Sequence, residues 1–294
     1  MNVSQWTVST NWLSKKSVCA WHGISCENGR VTSIYLPFNR LRGQLPALFP
    51  PKLTSLNLDG LWTFGAPSQM TFLNGTTIPY SLWDLPELKV VDLAGSFVGG
   101  DLPRDIGNRA RTLQHLRVPH CLISTEFHAS FANMTNLVEL KLERNPVRGN
   151  IPSFAAMPHL EKLACNFCAL TGSIPDVWAC CPKLRHLVFD GNGLTGSLPP
   201  SLALLKDLQE VAFNINNLTV ATSGICAAFG QRKRNTLGNG RHCHVGGDSN
   251  FTSYDANYPW IIRDVRNEYA CPLPACMVGD GICNNSQSIV DPCR

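Results

Sequence analysis

The stretch LVELKLERNPVRGNIPSFAAMPH (137–159) is followed by LEKLACNFCALTGSIPDVWACCPK (160–183) and LRHLVFDGNGLTGSLP (184–199). All three share the pattern L-x-x-L-x-L-x-x-N/C-x-L-x-G-x-I/L-P, which recurs after 23 and then 24 residues. A motif that recurs with this period indicates a solenoid, in which each repeat buries its apolar face only against its neighbours.

The same register continues on both sides of this stretch. Four earlier repeats start at Val31, Leu53, Leu88 and Leu113, and one later repeat starts at Leu208. In the first half of each repeat, apolar and variable residues alternate, which predicts a short strand with its leucines in the core and its variable side chains on one common face. The asparagine is expected to satisfy buried backbone groups where the chain turns, and the proline to start an irregular second half.

The segment before the repeats has the composition of a cap over the apolar end of a solenoid. It contains Trp6, Trp12 and the run Cys19-Ala-Trp21-His-Gly23-Ile-Ser-Cys26, in which a Cys19–Cys26 disulfide would fix the short loop. A terminal repeat needs such a cover because nothing else shields its apolar side from water.

The motif N-W…C-x-W-x-G-I-x-C-x-x-G-R-V-x-x-I-x-L, running directly into these repeats, resembles the N-terminal cap of plant-type leucine-rich repeat proteins. The L-x-G-x-I/L-P half of each repeat is similar to that subclass, and the resemblance covers roughly residues 6–218. Members include receptor-like kinase ectodomains, receptor-like proteins and polygalacturonase-inhibiting proteins, and similar repeats occur in kinetoplastid surface antigens. Their ligands differ widely, so the resemblance implies a fold more strongly than a partner.

The predicted fold is an α/β repeat solenoid. It is a right-handed leucine-rich repeat horseshoe with a parallel β-sheet on the concave side, a short 3-10 or irregular convex side, and disulfide-stapled caps. The predicted units are an N-terminal cap (1–30), eight leucine-rich repeats (31–218), a C-terminal cap (219–250) and a cysteine-rich tail (251–294).

Repeat two departs from the register, because its Ile-Pro at 78–79 comes about 11 residues late. The extra residues lie within 59–77 and include Trp62 and Phe64. Insertions of this length in a compact repeat are usually functional or disordered. This one either contributes to a binding surface or packs as an apolar flap on its own strand.

Composition places the chain outside the cell rather than on nucleic acid. Charged residues make up 16% and hydrophobic residues 44% of the 294 residues, and the net charge is only +4. Thirteen cysteines and six N-x-S/T sequons favour an extracellular or cell-surface protein.

No signal peptide is visible at the start, and a membrane is expected to be reached only through a segment absent from this chain. The sequons at Asn2 and Asn284 are near the ends, and the glycosylation candidates are Asn74, Asn133, Asn217 and Asn250.

The repeat register divides the cysteines into two groups. Five lie at repeat positions and are expected to be thiols, of which Cys180, aligned with the sequon at Asn133, is the accessible one and the others are buried: Cys121, Cys165, Cys168 and Cys181. The remaining eight are disulfide candidates: Cys19, Cys26, Cys226, Cys243, Cys271, Cys276, Cys283 and Cys293. Cys226–Cys243 is the expected bond of the C-terminal cap, and the four tail cysteines allow three connectivities.

The sequence indicates no cofactor, metal site or catalytic set. The spacing Cys165-x-x-Cys168 occurs in redox and zinc motifs, but both residues fall on inward repeat positions. His242-Cys243-His244 has no second ligand pair at zinc-finger spacing, and the run at 279–284 is only weakly similar to calcium-binding Notch-type repeats. General acid–base chemistry needs a water-poor pocket that an open concave sheet does not supply, so we do not expect an enzyme.

We predict an extracellular recognition module that binds a protein, peptide or glycan through its concave face and the 59–77 insertion. It would be a surface receptor ectodomain or a surface antigen, and an inhibitor of a secreted glycan hydrolase, similar to polygalacturonase-inhibiting proteins, is the alternative. Charged residues mixed with aromatic residues are typical of such a contact surface. The predicted binding residues are Tyr35, Phe38, Asp59, Trp62, Phe64, Asp92, His115, Arg117, Glu139, Lys141, Glu143, Arg144, Lys162, Phe167, His186 and Asp190.

Overall fold

The structure, a computed structural model, describes residues 3–60, 71, 73, 76–154, 156–213 and 215–219, and the backbone of His242–His244. Its strands in chain order are β1 (Ile24–Glu27), β2 (Arg30–Tyr35), β3 (Ser55–Asn57), β4 (Val90–Asp92), β5 (Gly99–Gly100), β6 (His115–Arg117), β7 (Leu122–Ile123), β8 (Glu139–Lys141), β9 (Arg148–Asn150), β10 (Lys162–Ala164), β11 (Ala169–Ser173), β12 (His186–Val188), β13 (Gly193–Gly196), β14 (Glu210–Ala212), β15 (Asn217–Leu218) and β16 (His242–His244). One short α-helix, α1 (Ile106–Arg109), accompanies 3-10 turns at Val3–Gln5, Val18–Ala20, Tyr80–Leu82, Ala129–Asn133, Trp178–Cys180 and Pro200–Leu204.

The first half of every repeat contributes one strand to a ten-stranded sheet, as the pattern predicts. The strand order is β1-β2-β3-β4-β6-β8-β10-β12-β14-β16, and all neighbours are parallel except β1 and β2. Leu163 lies opposite both Leu140 and Leu187, so the repeats stack in register. The last strand, β16, lies within the span predicted as the C-terminal cap and extends the sheet by one strand beyond the eight repeats.

The apolar repeat positions form one continuous core. Leu140, Leu163 and Leu187 are fully buried, and so are the residues that start their repeats at 137, 160 and 184. Burial of a leucine side chain stabilises a fold by roughly 1.5–3 kcal/mol, and here the contribution recurs along the whole array. Trp83, Phe131, Phe154 and Trp178 fill the convex side of this core and are also fully buried.

The second half of the repeats is more regular than predicted. Strands β9, β11, β13 and β15 form a four-stranded parallel sheet, and β5 pairs with β7. The glycine of the repeat has a positive φ in these strands, +94° at Gly149 and +75° at Gly172, a conformation that a side chain rarely tolerates. Strands of two to five residues are too short to show an alternation in the sequence, which is why this sheet was not predicted.

In several repeats the predicted asparagine holds the turn after the concave strand. The side-chain amide of Asn145 donates to the carbonyl oxygens of Val118 at 2.6 Å and Leu142 at 3.0 Å, and its oxygen accepts from the N–H of Ile123 at 3.1 Å. Asn192 makes the equivalent contacts two repeats later. Each asparagine therefore ties the turn of its own repeat to the preceding repeat.

The N-terminal cap has the predicted disulfide and tryptophan cluster. Cys19 and Cys26 are bonded, and the ring of Trp12 lies 4.7 Å from that of Trp6 and 4.8 Å from that of Trp21 between centroids. Asn39 connects the cap to the first repeat, because its side chain pairs with the backbone of Val8 in both directions.

Three of the five predicted thiols are instead disulfide-bonded. Cys165 is bonded to Cys168, and Cys180 is also in a disulfide. The prediction of an accessible thiol at Cys180 is therefore wrong, and the side chain is buried. Position in the repeat correctly indicated inward side chains but gave no means of seeing that two inward cysteines three residues apart face each other across a tight turn. Cys121 and Cys181 are buried free thiols, as predicted.

Part of the repeat-two insertion packs on the next repeat. Leu73 is buried, its N–H donates to the carbonyl of Ser96, and Thr77 bridges to Gly99. Asn133 and Asn217, two glycosylation candidates, are exposed. Several other predictions concern side chains outside the described residues: Trp62, Phe64, Asn74, Asn250, Cys226, Cys243, Cys271, Cys276, Cys283 and Cys293.

We call the column of equivalent turn residues, which includes Asn145, Asn192 and Asn216, the asparagine ladder. The contacts of Asn145 lead to a prediction about stability. Replacement of Asn145 by Ala leaves the N–H of Ile123 and at least one buried carbonyl without a partner, so we expect a loss of about 1–3 kcal/mol in the free energy of unfolding. Chemical denaturation measures this loss. The matched control is Asn108→Ala in α1, which removes only a solvent-exposed hydrogen bond from Asn133 and should change stability by less than about 0.5 kcal/mol. Equal effects of the two substitutions would show that the ladder does not hold the turns.

Candidate functional site

Two columns of side chains run across the concave face because the strands are in register. Each strand directs the residue before and the residue after its buried central residue toward the concave face, although Glu139 and Ala164 are themselves buried there. The first column contains Ser33, Ser55, Val90, His115, Glu139, Lys162, His186 and Glu210. The second column contains Tyr35, Asn57, Asp92, Arg117, Lys141, Ala164, Val188 and Ala212.

An ion-pair network occupies the middle of these columns and centres on Glu139, whose side chain is only 6% exposed. Arg117 donates from Nε to Glu139 Oε2 at 2.6 Å and also forms an ion pair with it through its terminal guanidinium. Lys141 Nζ lies 3.2 Å from Glu139 Oε1, and His115 Nδ1 lies 3.3 Å from Oε2. The same arginine reaches Asp92 Oδ2 at 3.5 Å, so the network crosses three strands.

The network fixes the charge of its members. Burial acts to raise the pKa of Glu139, but the hydrogen bond from Arg117 and the charges of Lys141 and Arg117 outweigh it and lower this pKa to about 2. Burial raises the pKa of Asp92, against the N–H of Ala94 and the charge of Arg117. Since the cations of this network are committed to buried carboxylates, they offer little charge to a ligand.

A hollow of about 380 Å³ lies beside this network. It arises because the second column changes from the long side chain of Lys141 to the short ones of Ala164 and Val188. The lining residues are Pro119, His120, Lys141, Glu143, Arg144, Lys162, Leu163, Ala164, Asn166, His186, Val188 and Glu210. The hollow therefore has a small apolar floor with charged and polar residues around it, as ligand sites commonly do.

The rim of the hollow is made by turns in a left-handed backbone conformation. The residue before each ladder position has a positive φ, about +52° at His120, +55° at Arg144 and +52° at Phe167. Consecutive turns are joined, since the N–H of Arg144 donates to the Asn166 carbonyl at 2.9 Å. The Cys165–Cys168 disulfide closes the turn that carries Asn166 and Phe167.

An arginine–aromatic stack covers one side of this rim. The guanidinium carbon of Arg144 lies 4.8 Å from the centre of the Phe167 ring, within the range of a cation–π contact. Gly191 also packs against this ring, because a Cβ placed on it would be only 2.5 Å from Phe167 Cδ1. Its φ of +66° also favours glycine.

Two ionisable groups at the rim have strongly displaced pKa values. Burial raises the pKa of Glu143 to about 7; the charge of Lys141 opposes this shift and that of Glu139 adds to it. One carboxylate oxygen of Glu143 is buried without a hydrogen-bond partner. Burial, with the charge of Arg144, lowers the pKa of His120 to about 4, so this imidazole is neutral at neutral pH.

The structure divides the predicted binding residues into groups. Asp92, His115, Arg117 and Glu139 meet in the network, whereas the hollow is lined or rimmed by Lys141, Glu143, Arg144, Lys162, Phe167 and His186. Asp190 lies next to the hollow, where its carbonyl accepts from the N–H of Phe167 at 2.7 Å. Tyr35, Phe38 and Asp59 lie at the N-terminal end of the sheet, several strands from it, with Tyr35 59% exposed.

Sequence reasoning missed Glu210, His120 and Asn166. Glu210 occupies the first column in repeat eight and its Oε2 lies 3.0 Å from His186 Nδ1. Reading the variable strand positions through the last repeat would have found it. His120 and Asn166 lie in the turns after the strands, where no alternation marks which side chains point toward the concave face.

The arrangement can bind a ligand by charge, hydrogen bonds and a small apolar floor. Among the described residues, no group of His, Cys, Asp and Glu is arranged to hold a metal ion. No helix in that part of the chain is both long and apolar enough to cross a membrane.

Known proteins with similar sequences and structures are leucine-rich repeat proteins of plants. A family model described as Leucine Rich Repeat matches residues 183–205. A stretch of 108 residues is 37% identical to the leucine-rich repeat receptor-like serine/threonine-protein kinase RGI4 of Arabidopsis thaliana, covering 36% of this chain and 9% of that protein. The fold matches a plant ice-binding protein (TM-score 0.59, 24% identity, 72% of this chain and 66% of that one). It also matches the plant peptide hormone receptor RGFR1, solved in complex with RGF2 (TM-score 0.51, 25% identity, 68% of this chain and 38% of that one).

This chain spans a tenth to a quarter of the length of the curated kinases that it matches, from 9% to 25%. The kinase in their names refers to other domains of those proteins.

The ion-pair network predicts a pH-dependent loss of stability in Arg117→Gln. Removal of this arginine leaves Glu139 buried without its main hydrogen-bond donor, and we expect a loss of about 1.5–3 kcal/mol at pH 7. The folded pKa of Glu139 is depressed, so its stabilising effect is complete above its unfolded pKa and is lost as pH falls toward about 2. Thermal unfolding of both proteins from pH 7 to pH 2.5 should show the difference shrink below about pH 5.

Arg148→Gln, at an exposed position, is the matched control and should behave like the parent protein at every pH. A constant gap between the parent and Arg117→Gln down to pH 2.5 would contradict the assignment of the network to Glu139.

The packing of Phe167 predicts different results at two glycines with similar backbones. Gly191→Ala combines a strained φ with a 2.5 Å contact, whereas Gly196→Ala has a φ of +78° and its nearest atom at 3.7 Å. We expect both to lose about 1–2 kcal/mol from the backbone, and Gly191→Ala to lose about 1–3 kcal/mol more from overpacking. Urea denaturation of the two variants measures the gap. Equal losses would show that the Phe167 ring is free to move away.

Proposed function

Because this chain belongs to the plant-type leucine-rich repeat family, we propose that it is an extracellular recognition module. It would act as the ligand-binding part of a surface receptor or surface antigen and bind a peptide or protein segment along the concave face. The observation that carries the proposal is the hollow between Lys141 and His186 on the inner sheet. The solved structure of a similar receptor with a bound peptide hormone ligand supports it.

The shape of the concave face favours an extended ligand. The two columns run across the strands without a break, so a peptide lying across the sheet would meet one side-chain pair about every 4.8 Å. In the central strands the second column changes from Lys141 to the short side chains of Ala164 and Val188, which gives one ligand side chain a place to enter. Buried anchors of this kind carry most of the binding energy in protein interfaces.

The surroundings of the hollow are also pre-organised. Disulfide-closed and hydrogen-bonded turns hold Asn166 and Phe167, and Phe167 in turn holds Arg144. A rigid rim reduces the conformational entropy that a ligand must remove on binding, which raises affinity for a given contact area. The extracellular location agrees with the disulfides and with the receptor ectodomains among similar proteins.

A peptide-display experiment tests the proposal. Random peptides displayed on phage would be selected on the folded chain, and the selected peptides then measured against two variants of the same type. Val188→Trp fills the hollow, while Val90→Trp places the same ring on the same sheet outside it. We expect Val188→Trp to weaken binding at least about tenfold and Val90→Trp to leave it within about twofold.

Circular dichroism and the unfolding midpoint establish that both variants are folded. If the selected peptides bind the two variants equally well, the hollow is not the recognition site and the proposal fails.

A further inference from the structure

We propose that the hollow is a subsite for an acidic side chain of the peptide ligand, and that it binds this carboxylate while Glu143 is protonated. The inference rests on the proposed function and adds the chemical class of the ligand side chain. It also predicts that binding takes up a proton and therefore depends on pH.

The charge around the hollow favours an anion. Lys162 occupies the first column between Glu139 and His186, and it forms no ion pair among the described residues. Glu139 cannot neutralise it, since its two oxygens are already engaged by Arg117 and Lys141. The charge of Lys162 is therefore available to a ligand.

A second cation, Arg144, borders the same space, where it stacks on Phe167 at the rim. Lys141 also lines the hollow, but its charge is paired with Glu139. A carboxylate placed over the small floor would have positive charge on more than one side. Opposite charges in a partly desolvated site attract more strongly than they do in water.

Glu143 decides whether an acidic group is accepted. One of its oxygens is buried at the hollow without a hydrogen-bond partner, which is an unfavourable state for a carboxylate. In the protonated form this group carries no charge, so it does not repel a ligand carboxylate. In the ionised form it repels the same ligand. The two states therefore differ in whether they oppose an acidic group beside them.

Several other titratable and charged groups face Glu143 or the space beside it. They come from its own repeat, from the repeat before it and from the three repeats after it: His120, Glu139, Lys141, Arg144, Lys162, His186, Asp190 and Glu210. Burial keeps His120 neutral above about pH 4, and the depressed pKa of Glu139 keeps it charged, so neither changes state near neutrality. His186 Nδ1 contacts Glu210 Oε2 at 3.0 Å.

The sign of the pH dependence follows from Glu143. Its pKa of about 7 makes it mostly protonated at pH 6 and mostly ionised at pH 8. A ligand that binds only the protonated form should therefore lose roughly tenfold in affinity between these two values, since one proton is linked to binding.

The probe is an acetylated and amidated tetrapeptide, Gly-Glu-Glu-Gly, compared with Gly-Gln-Gln-Gly of nearly the same shape. Binding to the whole chain would be measured by isothermal titration at pH 6 and pH 8. We expect the acidic peptide to bind about tenfold more tightly at pH 6 than at pH 8. The amide peptide should bind weakly at both.

Two pairs of variants assign the effect. Glu143→Gln has the shape and neutrality of the protonated acid, so it should bind the acidic peptide at pH 8 about as well as the parent does at pH 6; Glu126→Gln, at an exposed position, should retain the pH dependence. Lys162→Met should weaken the acidic peptide about tenfold at both pH values, whereas the exposed Lys183→Met should not. Urea midpoints identify any variant that has lost its fold.

Two results would overturn the inference. One is equal binding of the two peptides, and the other is a pH dependence that persists in Glu143→Gln and disappears in His186→Gln. Failure here is separable from failure of the proposed function. If displayed peptides still require an open hollow at Val188 but show no preference for acidic residues, the recognition module stands and the acidic subsite falls.

Discussion

Each repeat of this protein hydrogen-bonds to the next with equivalent residues opposite one another, and this register determines most of what the molecule presents to its surroundings. Leu140, Leu163 and Leu187 lie opposite one another in the core because their strands pair without a shift. The residues on either side of each leucine then form columns on the concave face. A change of one side chain in a column therefore changes the surface at one defined place, while the core beneath it stays the same.

The register persists only if every turn after a strand satisfies its backbone groups. Asparagine does this at Asn145, Asn192 and Asn216 by donating to carbonyls of two repeats. Cys121 substitutes at this position as a thiol that donates to the Leu93 carbonyl at 3.1 Å. Cys168 uses a different solution, because in a disulfide its sulfur has no proton to donate, and a covalent bond to Cys165 closes the turn instead. The ladder position thus tolerates different chemistry provided that the turn keeps its shape.

The parts of the fold that the sequence could predict are those set by apolar spacing. The concave strands, the repeat starts and the cap disulfide follow from leucines and cysteines at fixed intervals, and they lie where expected. The convex sheet did not follow, since its strands depend on positive-φ glycines such as Gly149 and Gly172 and are too short to show a pattern. The register places Arg117 between Asp92 and Glu139, each one repeat away. It does not predict how closely Arg117 contacts each of them, because the side-chain rotamers set these distances. The disulfide at Cys180 could not be predicted either, because its alignment with the exposed Asn133 carries no information about a bonding partner.

The position of the hollow follows from the same columns. To its N-terminal side, long charged side chains neutralise one another, and Arg117, Glu139 and Lys141 fill the surface that they occupy. At Ala164 the second column loses its long side chain, whereas the first column keeps the long side chain of Lys162. The space therefore arises from the change from long to short residues in a single column, and Lys162 lies beside it. A solenoid that varies one column in this way acquires a hollow without altering its core, and Glu143 and Arg144 line that hollow.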